Sequence, residues 1–90
     1  MQTSRQLVAA IAKKQGWDDA RIAKELGERQ KTIHQIRDNQ QCFTEAHAGS
    51  ISQWLGLDRM YVLACIRAEN AKRKGLKSMW ERIARGANAV

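Results

Sequence analysis

Apolar residues recur three and four positions apart along most of this chain, and the runs are separated by Gly16, Gly27, Gly56 and Gly75. That spacing gathers side chains on one face of an α-helix. Leu7, Val8, Ile11 and Ala12 predict a first helix, capped by Thr3 with Gln6 reaching back as in a capping box, and stopped at Gly16. Asp18 is placed to cap a second, with Trp17 and Ile22 meeting as a hydrophobic staple. A third spans about Gln30 to Arg37. After a polar loop, Asp38 to Phe43, Thr44 can cap a fourth helix that turns Ala48, Ile51, Trp54 and Leu55 inward and ends at Gly56. Asp58 can cap a fifth, with Leu57 and Val62 as its staple pair. Its run Met60 to Ile66 is apolar around more than one face and calls for a cover. Beyond an expected break at Gly75, Leu76, Met79, Trp80 and Ile83 predict a sixth, amphipathic helix. Proline is absent and no run alternates with a period of two. The expected fold is therefore all-α, a compact domain of five to six helices in all: a helical domain over residues 1–70, then a basic helical extension over 71–90, carrying the last amphipathic helix, that folds back or crosses to a second subunit.

The stretch from Trp17 to Asn39 has the pattern of a helix-turn-helix formed by the second and third helices. Two short helices cross steeply only if the first is thin at the crossing, the turn accepts an unusual backbone and apolar residues fill the corner. Ala23 supplies the small side chain, Gly27 the turn position open to positive φ, and Ile22, Leu26, Ile33 and Ile36 the wedge. Ala-x-x-x-Gly alone is common in ordinary helices. The four apolar offsets and the polar run Arg29 to Thr32 make this instance specific. Glu28 departs from the pattern, because the residue after the turn glycine is usually apolar; its carboxylate must face outward or find a cation.

Charge points the same way. The 90 residues carry a formal net charge of +7 and a pI near 10.0, a balance suited to a polyanionic partner. The charge is uneven: eight cations against five carboxylates in residues 1–39, two against three in 40–70, and six against one in 71–90. Cys42 and Cys65, with no signal-like opening segment, predict free thiols in a reducing cytoplasm, Cys65 as a small core residue and Cys42 in a loop. No segment approaches the roughly 20 apolar residues of a membrane span.

The plan of five helices, with Ile22-Ala23-Lys24-Glu25-Leu26-Gly27 followed by Gln30-Lys31-Thr32-Ile33, resembles the lambda-repressor and Cro class of phage and bacterial DNA-binding domains over about residues 3–66. Residues 58–80 are more distantly similar to small phage-associated proteins of uncharacterised role. The first resemblance implies a domain that binds operator DNA as a dimer, each subunit placing its third helix in the major groove. It assigns base contacts to Gln30, Lys31 and Gln35. Gln suits an adenine edge and Lys the guanine acceptors. Thr32, His34 and Arg29 are further base-contact candidates, and Lys24, Arg37, Asn39 and Gln40 candidates for phosphate. Two family features are missing: Asp19 stands where a neutral amide often sits, and Arg29 where a hydroxyl often caps the third helix.

Candidate dimer residues are Met60, Leu63, Met79, Trp80 and Ile83. The expectation is a cytoplasmic, sequence-specific double-stranded-DNA-binding transcriptional regulator, of the phage or prophage repressor type, acting as a homodimer without cofactor or small-molecule ligand. Alternative readings are a protein-interaction module, such as an antirepressor or replication cofactor, and a non-specific nucleic-acid binder held by Lys and Arg alone. Metal and enzyme chemistry are not expected. Cys42 and His47 offer two ligands where zinc needs four, and neither His47 nor His34 has a third orienting group at a motif-like spacing beside Cys42.

Overall fold

In the computed structural model, which describes residues 1–88 and the side chains of 1–79 and 81–83, five α-helices follow one another with no strand among the described residues. They are α1 (Ser4–Gln15), α2 (Asp19–Leu26), α3 (Gln30–Arg37), α4 (Ala48–Leu55) and α5 (Arg59–Asn88), with a 3-10 turn over Glu45–His47 ahead of α4. The chain is all-α, as the periodicity predicts.

The local signals account for most boundaries. Thr3 and Gln6 form the capping box of α1, and Asp18 accepts the Arg21 N–H at the start of α2. Gly16, Gly27 and Gly56 end α1, α2 and α4 in the left-handed region, at φ of 69°, 71° and 66°, where a Cβ would be strained. Asp58 Oδ1 accepts the Met60 and Tyr61 N–H groups at the start of α5. Thr44 caps the 3-10 turn rather than α4 itself, its N–H donating to His47 Nδ1 at 3.2 Å.

The core joins Leu7, Val8 and Ile11 of α1, Ile22 and Ala23 of α2, Ile33 and Ile36 of α3, Ala48 and Ile51 of α4, and Val62 and Ile66 of α5. Phe43, from the loop, is its largest fully buried side chain. Trp17 and Trp54 meet edge to face at 5.1 Å on its border. Side chains of α1 finish α4: Lys14 donates to the Leu55 carbonyl and Gln15 to the Trp54 carbonyl, both at 2.8 Å.

The loop after α3 is tied down by a polar cluster. Ser4 is buried, and its N–H (2.9 Å) and hydroxyl both donate to Glu69 Oε1 of α5. The same hydroxyl accepts the Phe43 N–H at 2.9 Å. Asn70 donates to the Phe43 carbonyl at 3.1 Å, and Arg73 to the Asn39 carbonyl at 2.6 Å. The first turn of α1, the loop and the middle of α5 thus share one network. Cys42 lies in the loop as expected but is buried, and Cys65 is in the core; both thiols are free.

Gly75 does not break the chain. A single helix of 30 residues, about 45 Å at 1.5 Å per residue, runs from Arg59 through Gly75 to Asn88, so the separate sixth helix folding back on the fifth is replaced by a straight extension. A helical glycine costs roughly 1 kcal/mol, which Lys74, Leu76 and Lys77, good helix formers on either side, offset. A Cβ at Gly75 would meet nothing within 4 Å. The molecule is accordingly elongated, 54 × 26 × 18 Å. Among the described residues no helix is long and apolar enough to cross a membrane.

Two outcomes follow from this geometry. Ser4→Ala strands the Phe43 N–H and should cost about 1–3 kcal/mol in urea unfolding. Gly75→Ala should strengthen α5 by about 1 kcal/mol, seen as slower amide exchange over residues 72–79; a helix end at Gly75 would give no such gain.

Candidate nucleic-acid interface

α2 and α3 are joined by residues 27–29 and pack chiefly on each other, with α1 across the back of α3. The Glu28 N–H donates to the Ala23 carbonyl at 2.8 Å, and the Gly27 N–H to the Lys24 carbonyl at 3.2 Å, closing α2 with a tight turn. α3 has only eight residues, too few to be stable alone. Ile33 and Ile36 are fully buried and fix its inner side.

At 100° per residue, Gln30, Lys31, His34 and Gln35 fall within an arc of about 140° opposite those isoleucines. Gln30, Lys31 and His34 are exposed and Gln35 half-buried. Thr32 is half-buried at one border of the arc. Arg29, exposed, is the N-cap residue of α3 and makes no side-chain cap, so the first N–H groups of the helix are left to solvent or an anion. Lys24, in the last turn of α2, is exposed, as is Gln40 beyond α3.

Two carboxylates beside this face, Asp19 and Glu28, are held by internal partners, while Asp38 at the end of α3 is exposed. Asp19 accepts from Arg37 Nε at 2.7 Å and lies 3.3 Å from His34 Nε2, so it ties the start of α2 to the end of α3. Glu28, the departure from the usual pattern, finds His47 rather than Lys or Arg: its Oε1 lies 3.0 Å from Nε2. His47 Nδ1 accepts the Thr44 N–H, which leaves Nε2 as the protonated nitrogen and donor to Glu28. Turned toward these partners, the carboxylates oppose an approaching phosphate less than free ones would.

Arg37 and Asn39, expected at phosphate, carry internal bonds as well. Arg37 gives its Nε to Asp19. Asn39 adopts φ of 62° after α3, and its Oδ1 and carbonyl both accept from Arg73. Arg73 and His47 therefore position the end of α3 and the turn before it. Only the distance constraints of the fold could reveal them, since neither is near its partner in sequence. Of the dimer candidates, Met60, Met79 and Ile83 are exposed, Leu63 packs against the core, and the Trp80 side chain lies outside the described residues.

No group of three or more metal-ligating side chains occurs among the described residues. Burial, then the Glu69 carboxylate, pushes the Cys42 thiol from 9.0 to about 11. Comparison with family models, with curated proteins and with solved structures returned no match.

Because Cys42 binds its proton more tightly folded than unfolded, this contribution to stability is complete below pH 9 and lost as pH rises toward 11. At pH 8, alkylation of Cys42 by iodoacetamide should be slow in the native protein and rapid in urea, as read by peptide mass spectrometry.

Proposed function

We propose that this chain is a sequence-specific DNA-binding transcriptional regulator of the lambda-repressor-like kind, a repressor that acts by occupying its operator as a dimer in the cytoplasm. The observation that carries the reading is the outer face of α3, where exposed Gln30, Lys31 and His34 and half-buried Gln35 lie opposite Ile33 and Ile36 while Asp19 and Glu28 are engaged by internal partners. Two amides and an ammonium on one short helix match the donor and acceptor edges that base pairs present in the major groove. Arg29, Thr32 and Lys24 border that face, and the net charge of +7 favours association with a polyanion. Repression by occupancy requires no catalytic group. A domain this small gains specificity by contacting two half-sites.

Selection of random duplex DNA at physiological salt should enrich an inverted repeat. Against that sequence, Gln30→Ala and Gln35→Ala should each cost about 1–3 kcal/mol of binding free energy by fluorescence anisotropy, with the thermal midpoint unchanged. Retention without a motif, with a steep salt dependence, would replace the reading by phosphate-driven binding. No retention would assign the α3 face to a protein partner.

A further inference from the structure

Two hollows meet where the chain leaves α3. The first, about 420 Å³, is bounded by Thr3, Arg5, Gln6, Ala9 and Asn39. The second, about 340 Å³, lies between Thr3, Asn39, Glu69, Lys72, Arg73 and Leu76. Thr3 and Asn39 belong to both. The two hollows therefore form one trough, with one wall from the start of α1, the other from the middle of α5, and Asn39 between them.

The bonds around this trough leave it lined by donors. Thr3 Oγ1 accepts the Gln6 N–H at 3.3 Å, Gln6 Oε1 accepts the Thr3 N–H at 2.9 Å, and Asn39 Oδ1 accepts from Arg73 at 3.1 Å. In all three residues the side-chain acceptor is engaged inside the protein. The Thr3 hydroxyl proton, Gln6 Nε2 and Asn39 Nδ2 are left to donate.

Charge adds to this selectivity. Arg5 and Lys72 are exposed and have no internal partner among the described residues. Arg73 gives Nη2 to Asn39 and contributes its charge from beside it. Among the described residues Glu69 is the one carboxylate that borders the trough. It receives both Ser4 donors at Oε1 and stands three and four residues before Lys72 and Arg73 on the same helix. Asp38 is exposed but bounds neither hollow. Cations together with neutral donors whose acceptors are engaged suit a ligand that carries negative charge and only accepts, as a phosphodiester does.

The trough is also set before any ligand arrives. Ser4, next to Arg5, is bonded to Glu69, one turn before Lys72 and Arg73, so its two walls are joined by the network that fastens the loop. Little further ordering is needed on binding. Its position indicates which phosphate it meets. Asn39 comes two residues after the end of α3, and the Gln40 N–H donates to the Gln35 carbonyl at 2.8 Å, folding the loop onto the last turn of that helix. A helix about 10–12 Å across fills a major groove about 12 Å wide. The chain leaving α3 then comes up against the sugar–phosphate strand that borders the groove.

We propose that this trough holds the DNA backbone flanking the base pairs faced by α3, with Arg5 and Lys72 as charged contacts and Thr3, Gln6 and Asn39 donating to phosphate oxygens. α1 and α5, which lie outside the helix-turn-helix, thereby extend the footprint beyond Lys24, Arg37 and Gln40. The assignment rests on the DNA-binding reading, but backbone contact and sequence selectivity are separable by experiment.

The full chain is titrated by fluorescence anisotropy against the duplex recovered by selection, over a series of KCl concentrations. Arg5→Gln and Lys72→Gln should each lower the slope of log K against log [KCl] by about 0.9, while the ranking of single-base-pair changes in the duplex stays the same. Arg59→Gln removes the same charge about 20 Å away along α5 and should leave the slope unchanged. Phosphates whose ethylation blocks the native chain should include positions flanking the enriched half-site that cease to matter for Lys72→Gln. Operator binding whose slope and ethylation pattern are unaltered by Arg5→Gln and Lys72→Gln would overturn the trough and leave the regulator reading intact. An equal loss of slope with Arg59→Gln would reduce the effect to net charge and overturn it as well. Retention of duplexes without a motif would remove sequence specificity alone, and the slopes on those duplexes would still decide on the trough. Absence of binding to any duplex overturns both. Millimolar inorganic phosphate that saturates the Gln6 and Asn39 side-chain amide shifts in NMR, together with unaltered slopes, would assign the trough to a free anion instead.

Discussion

The arrangement of the helices depends on Ser4. It is a buried polar residue in the first turn of α1, and a buried hydroxyl without partners would be costly. Its position is tolerable because Glu69 receives both of its donors and the Phe43 N–H satisfies its oxygen. One side chain thereby fixes the first turn of α1, the end of the loop and the middle of α5. Glu69 also brings a carboxylate to the positive end of α1. With Phe43 held in the core, the loop that leaves α3 has a defined path, and Asn70 and Arg73 fasten its other carbonyls to α5.

A second layer of polar contacts governs α3. A helix of eight residues needs help from its surroundings, and α3 receives it at both ends: Arg37 reaches back to Asp19 of α2, and Asn39 beyond its last turn is held by Arg73 of α5. The turn before it is steadied from a third direction by the contact of Glu28 with His47. The outer side of α3 takes little part in this, apart from His34 beside Asp19.

What could be read in the sequence was whatever acts over a few residues. Caps at Thr3, Asp18 and Asp58 and left-handed glycines at Gly16, Gly27 and Gly56 are local devices, and they set both ends of α1 and α2, the last turn of α4 and the start of α5, whereas Thr44 starts the 3-10 turn and α4 begins only at Ala48. The helical period located Leu7, Ile22, Ile33, Ile51 and Val62 in the core for the same reason. Gly75 was misleading because a glycine is a stop only where the backbone takes positive φ; within a helix of good formers it is a modest penalty. Phe43, Ser4 and the roles of Glu69, Arg73 and His47 were illegible. Each is fixed by a residue between 19 and 65 positions away, and no periodicity carries that information. On the candidate site, the outward side of α3 followed from the placement of Ile33 and Ile36, whereas the engagement of Asp19 with Arg37 did not.

The way α3 is anchored separates two kinds of position on a single eight-residue helix. Ile33, Ile36 and Arg37 carry the packing and the strut to α2, while Gln30, Lys31 and Gln35 project from the opposite side and none of the bonds described above passes through their side chains. Sequence change at exposed Gln30 and Lys31 is thus the least coupled to the fold, with half-buried Gln35 more constrained. Lineages of such a chain could exchange them for other polar residues and keep the same scaffold, so that related molecules would diverge fastest at the surface where α3 meets its surroundings and slowest in the Ser4 cluster beneath it.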